Sequence, residues 1–199
     1  MGPSEIERFD LSKYGLAYLE GRNVLDLSDA DLDRLLEALG DADAAVQIPI
    51  PSTPENVERL ASQSQCRRCG KCCSPDRPDP DNPGVEALES ELKAIAAHLG
   101  VTYASLEEKT AKGKRVFHRS YMKSVSLTRF LPLPCRWYDA KASGCSIYAV
   151  RPVVCRMHPI VFGDSGQISI RTACDYGKDI IKAAFKELKA SHPEMVMRI

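Results

Sequence analysis

Apolar positions recur at helical spacing in the first half of the chain and at its end, and alternate at strand spacing in between. In "LSDADLDRLLEALGD", Leu32, Leu35, Leu36 and Leu39 share one helical face. Ser28 stands as N-cap, Asp31 completes a weak capping box, and Gly40 is the expected stop. "IPIPSTPE" reads as a proline-broken connector, after which Thr53 caps a helix with Pro54 at its first position, running toward Ser64. "SPDRPDPDNPG" is expected to be irregular. "ALESELKAIAAHLG" turns Leu88, Leu92, Ile95 and Leu99 inward and ends at Gly100, and Thr102 caps a shorter helix over "TYASLEEK". From about residue 115 the texture changes. "SVSLTRF" alternates as a strand, and "PCRWYDAKASGCSIY" as two strands about a turn at Ser143–Gly144. "VRPVVCRMHP" gives one helical turn started by Pro152, and "IVFGDSGQISI" a hairpin. "GKDIIKAAFKELKA" closes the chain as a helix with Ile180, Ile181, Ala184, Phe185 and Leu188 on one side.

The pattern predicts an α+β fold: a helical N-terminal half, short strands and hairpins, and a C-terminal helix. Residues 1–50 form a helical extension, and 51–199 a metal-organised domain. Lysine plus arginine number 27, as do aspartate plus glutamate, so charge balance gives no reason to expect nucleic acid or an anionic membrane as partner. The N-terminus lacks the basic and apolar regions of a signal peptide, "MGPSEI" lacks a myristoylation pattern, and no apolar run is long enough to span a membrane. The expected compartment is the reducing cytoplasm. Eight cysteines there point to metal or redox chemistry rather than disulfides.

Four of those cysteines, Cys66, Cys69, Cys72 and Cys73, fall within "CRRCGKCC". Three cysteines at successive C-x2-C spacing can wrap a polynuclear cluster, whereas zinc more often takes two separated C-x2-C pairs. The other four, Cys135, Cys145, Cys155 and Cys174, are single. The adjacent side chains of Cys72 and Cys73 are expected to diverge, so they serve two centres more easily than one. Eight thiolates then divide into two sets of four: Cys66, Cys69, Cys72 and one distal cysteine, and Cys73 with the other three. Which distal cysteine joins the first set stays open. Isolated Cys174 is also open to reading as a buried free thiol. The loop has no hydrophobic run of its own, so it is expected against the 135–174 region. Arg67, Arg68, Lys71, Arg136, Arg151 and Arg156 lie in or near these segments, where guanidinium groups offset thiolate charge; Arg151 and Arg156 are the candidate cofactor contacts. Trp137, Tyr138 and Tyr148 can screen a cluster but are more often core aromatics, and His158 is more simply a structural histidine than a ligand.

"CRRCGKCC", "ELKAIAAHLG" and "PCRWYDAKASGCSIYAVRPVVCRMHP" together resemble the YkgJ-type cysteine cluster proteins, the CxxCxxCC family of zinc- or iron-chelating domains. Gly144, Cys145, Ile147, Tyr148, Arg151, Pro152, Cys155, Arg156 and Pro159 stand at that family's later motif positions, and the resemblance covers about residues 62–175. Arg136, Trp137 and Tyr138 depart from its usual Pro-Phe-Leu, and His158 stands where an aromatic residue usually precedes the proline. The resemblance implies metal binding. An iron–sulfur cluster, of the 4Fe-4S type, is expected, with zinc as the alternative. The expected role is electron transfer, metal handling or maturation of a protein partner. Flagellin lysine N-methylases resemble the chain in their cysteine cluster and imply a second reading, cluster-dependent methyl transfer to a protein lysine. The radical C-x3-C-x2-C spacing is missing, since position 76 is Asp, and no phosphate-binding loop, nucleophile elbow or H-E-x-x-H motif occurs. No catalytic residue can be named.

Overall fold

A computed structural model describes residues 9–75, 84–112, 128–162 and 166–199. Its elements in chain order are α1 (Asp29–Asp41), β1 (Ala45–Pro51), α2 (Pro54–Ala61), β2 (Val85–Leu88), α3 (Glu89–Leu99), α4 (Tyr103–Glu107), β3 (Ala111–Lys112), β4 (Thr128–Leu131), β5 (Tyr138–Asp139), β6 (Gly144–Cys145), α5 (Val153–Met157), β7 (Ile160–Phe162), β8 (Gln167–Arg171) and α6 (Asp175–Ser191). Short 3-10 turns occupy Leu11–Tyr14, Ala17–Leu19, Val24–Asp26 and Tyr148–Val150. The architecture is α+β. Among the described residues no helix is long and apolar enough to cross a membrane. The chain divides into two units: one runs to Arg67 and resumes from Pro159 to Ile199, and the other is Arg68–His158.

In the first unit the sheet order is β1-β8-β7, all antiparallel. β1 takes in Ile48, Pro49, Ile50 and Pro51, the first half of the stretch expected as a connector. Val46, Ile48 and Ile50 alternate inward and are buried, which is the strand period. Prolines 49 and 51 are tolerated because β1 is an edge strand and its register with β8 slips between Ile48 and Pro51. Helix α6 packs on β8 and β1, burying Ile180, Ile181, Ala184, Phe185 and Leu188; each large side chain contributes about 1.5–3 kcal/mol. It begins at Asp175, earlier than its apolar stripe suggested. The side chain of Ser28 accepts from Asp31 N–H to start α1, and Thr53 accepts from Asn56 N–H to start α2. Gly40 is not the stop of α1, which continues to Asp41. A Cβ there would sit 3.0 Å from the Thr172 carbonyl oxygen, so this glycine admits a close neighbour.

The second unit carries the sheet β2-β4-β3 and the two-residue pair β5-β6. Strand β2 ends on Ala87 and Leu88, the first two residues of the expected helix, and α3 starts one residue after Leu88. Gly100 ends α3 with φ 66°, and Thr102 caps α4, as expected. Ala87, Leu92, Ile95, Ala96, Leu106, Leu131 and Ile147 form the core, with Trp137 and Cys145 packed at its margin. The turn between β5 and β6 holds Ser143 at φ 46°. Most of the irregular segment at 74–84, the strand call on 124–127 and the tip of the 160–170 hairpin lie outside the described residues.

Candidate metal centre

The cysteine loop is a wound turn fixed by backbone hydrogen bonds. Gly70 has φ 84°, and its carbonyl accepts from Cys73 N–H at 2.8 Å and Ser74 N–H at 2.7 Å. The winding brings the sulfurs of Cys72 and Cys73 to 4.0 Å, closer than the diverging arrangement expected of neighbours on an extended chain. Cys135 N–H donates to the Cys73 carbonyl at 2.6 Å, tying the loop to the first distal cysteine. Two tyrosines hold the same loop. Tyr138 donates its hydroxyl to the Arg68 carbonyl at 3.0 Å, and its ring fills the space a Gly70 side chain would need. Arg68 and Arg151 place their guanidinium carbons 4.2 and 4.0 Å from the centre of the Tyr148 ring.

Cys155 is carried on α5. Pro152 is its N-cap rather than its first residue, a small shift from the expected start. Glu91, in the first turn of α3, bridges two helix starts: it accepts from Leu88 N–H at 2.9 Å and from Val153 N–H at 2.7 Å. Its carboxylate satisfies an unpaired helix-end N–H on each side and seats α5.

Four thiols from separate segments lie within electrostatic reach of one another. Burial pushes the Cys155 thiol up to about 12, and Cys72, Cys135 and Cys145 add to the rise while Arg151 opposes it. Burial also raises Cys135, with Cys145 and Cys72 contributing; backbone N–H groups of Trp137 and Tyr138 pull the other way by stabilising its thiolate. Cys72 is well above the ordinary thiol value. It stays exposed, so the contact with Cys73 is the better account of its shift than burial. Arg151 lowers both Cys72 and Cys155, as positive charge near a thiolate does. Metal-free, Cys72, Cys135 and Cys155 therefore hold their protons at neutral pH. The donor chemistry fits a thiophilic metal: half-buried thiols, backbone N–H groups favouring one thiolate, and a nearby guanidinium. Among the described residues, no three His, Cys, Asp or Glu side chains already stand as an ion-holding group.

The remaining predicted ligands are distributed otherwise. Cys69 is exposed in the second unit, near Tyr138, whose phenol is raised first by desolvation and then by Cys73, Cys69 and Cys72. Cys66 and Cys174 belong to the first unit. There Arg67 bonds Asp179 at 2.7 Å and approaches Asp175 at 4.0 Å, so the residue after Cys66 is tied to the helix that Cys174 caps. Arg156 is exposed, and its guanidinium makes no hydrogen bond or ion pair among the described residues. His158 caps the end of α5. Trp137 is a core aromatic, and the structural roles of Tyr138, Tyr148 and Glu91 were not visible in the sequence.

A family model matches residues 65–184, more than half of the chain, under the description CxxCxxCC, "Putative zinc- or iron-chelating domain". The chain belongs to the CxxCxxCC family. All eight cysteines fall within the matched segment. No curated protein and no solved structure gives a match. That family description agrees with the thiol-rich donor set.

Proposed function

We propose that the second unit holds a metal centre ligated by Cys72, Cys135, Cys145 and Cys155, with an iron–sulfur cluster as its occupant. The observation that carries this reading is the nearness of Cys72, Cys135 and Cys145, drawn from the loop and the β5–β6 region, to Cys155 on α5, close enough for each to raise its thiol. Core packing alone gives no reason to gather four thiols beside Arg151. Closing the site on a metal asks the side chains to move from where they stand and to give up protons, which the cation's charge offsets. Iron–sulfur is favoured over zinc because zinc sites more often use two separated C-x2-C pairs, and the four proposed ligands, drawn singly from distant segments, form no such pair. A cluster supplies one-electron transfer, and the protein then serves electron transfer, metal handling or the maturation of a protein partner. Arg151 supplies positive charge beside the thiolates, and Arg156 is a candidate for contact with the same partner or cofactor.

Purification without oxygen, followed by iron, zinc and acid-labile sulfide analysis, tests this directly. Brown protein with iron and sulfide in matching amounts is the expected result. Colourless protein with stoichiometric zinc and no sulfide would replace the cluster with a zinc site, and protein devoid of both metals would overturn the proposal.

A further inference from the structure

The contacts that hold the cysteine loop involve no metal. Arg68 takes φ 55°, a left-handed conformation that a non-glycine residue adopts only when its surroundings fix it. What fixes it is on both sides of its backbone: its carbonyl accepts from the Tyr138 hydroxyl, and its guanidinium lies over Tyr148. Arg151, just ahead of the helix that carries Cys155, lies over the same ring. Tyr148 thus joins the segment carrying Cys69, Cys72 and Cys73 to the segment carrying Cys155.

We infer that Arg68, Tyr148 and Arg151 form a metal-independent clasp, which orders the cysteine loop beside Cys155 before a metal arrives. The inference rests on the proposed metal centre for its purpose, though not for its test. Small thiolate domains often gain their order only on binding metal. Here the loop is positioned in advance, so less ordering is left to oppose binding. Tyr148 acts through its ring face, and phenylalanine should replace it, whereas leucine keeps bulk and loses the attraction to both guanidinium groups.

Hydrogen exchange on the full-length, reduced, metal-free chain separates the possibilities. The amides of Cys73, Ser74 and Cys135 report the loop because each donates a backbone hydrogen bond there. They are expected to be protected in the unmodified chain. Tyr148→Leu and Arg151→Gln should speed their exchange about three- to thirtyfold. Tyr148→Phe should restore protection, and the amides of α3 should not change. Unprotected loop amides in the unmodified metal-free chain would overturn the clasp, as would unchanged exchange in both Tyr148→Leu and Arg151→Gln. If Tyr148→Leu also exposes α3, the unit itself has loosened, and Arg151→Gln alone decides. Adding zinc to each protein then checks the centre separately: a clasp confirmed in metal-free protein, with no further protection on adding zinc, would count against the metal site and leave the clasp standing.

Discussion

Replacing Gly70 by alanine places a methyl group where the Tyr138 ring now lies. The added carbon would sit inside the 3.0 Å that real Cβ contacts keep from the ring, at a backbone φ of 84° that side chains rarely adopt. The left-handed conformation costs an alanine about 1–2 kcal/mol. The ring can swing away, but only by giving up the hydrogen bond from Tyr138 to the Arg68 carbonyl, worth about 0.5–1.5 kcal/mol. Together these make about 1.5–3.5 kcal/mol, or a roughly 10- to 300-fold loss in metal affinity if the cost falls on the ordered loop. The assay is competition between the reduced protein and a chromophoric chelator for zinc or cobalt(II), with denaturant unfolding in chelator as control. Gly70 is outside the second unit's apolar core, so affinity should fall more than stability. Combining Gly70→Ala with Tyr138→Ala should leave the two losses non-additive, because the clash disappears with the ring. Gly70→Ala protein that binds within twofold of the unmodified chain would refute the reasoning.

Three further expectations follow from the same geometry. The metal-free chain should lose stability as pH rises from about 9 toward about 12: Cys155 is raised above the ordinary thiol value, so its contribution is full below the unfolded pKa and is lost on passing through the folded one. Unfolding midpoints that stay flat over this window would contradict it; the metal-loaded chain should instead weaken as acid protonates its thiolates. Gly84→Ala should destabilise the second unit by about 2–4 kcal/mol, because its Cβ would strike the Leu131 carbonyl, backbone that a rotamer change cannot move, at φ 128°; equal thermal midpoints would count against it. Glu91→Ala should cost about 2–3 kcal/mol and loosen α5, whereas Glu91→Gln should recover much of this by keeping an acceptor for Val153 N–H, as thermal unfolding of the two variants would show.

Local patterns made much of the fold legible. Ser28, Thr53 and Thr102 cap the helices they were expected to cap, and the buried faces of α1 and α6 follow their apolar spacing. The errors arose where long-range pairing overruled local signals. Pro49 and Pro51 read as a break, yet pairing with β8, more than a hundred residues on, makes an edge strand of them. Ala87 and Leu88 looked like the start of a helix, but they end a strand that pairs with β4. In the site, cysteine spacing and the family motifs named candidate donors. They did not reveal that the loop's winding would bring the Cys72 and Cys73 sulfurs together, or that Tyr148 would receive two arginines. Those facts depend on backbone conformation at Arg68 and Gly70 and on contacts between distant segments, neither of which has a sequence period.

The most direct test of the centre is metal analysis of four single replacements, Cys72→Ser, Cys135→Ser, Cys145→Ser and Cys155→Ser, each purified without oxygen beside the unmodified chain. Because the four thiols are proposed to serve one centre, each replacement should lower bound metal and sulfide by a similar amount, with Cys155→Ser losing stability as well. Unchanged metal content in the Cys155→Ser protein, with normal folding, would contradict the assignment.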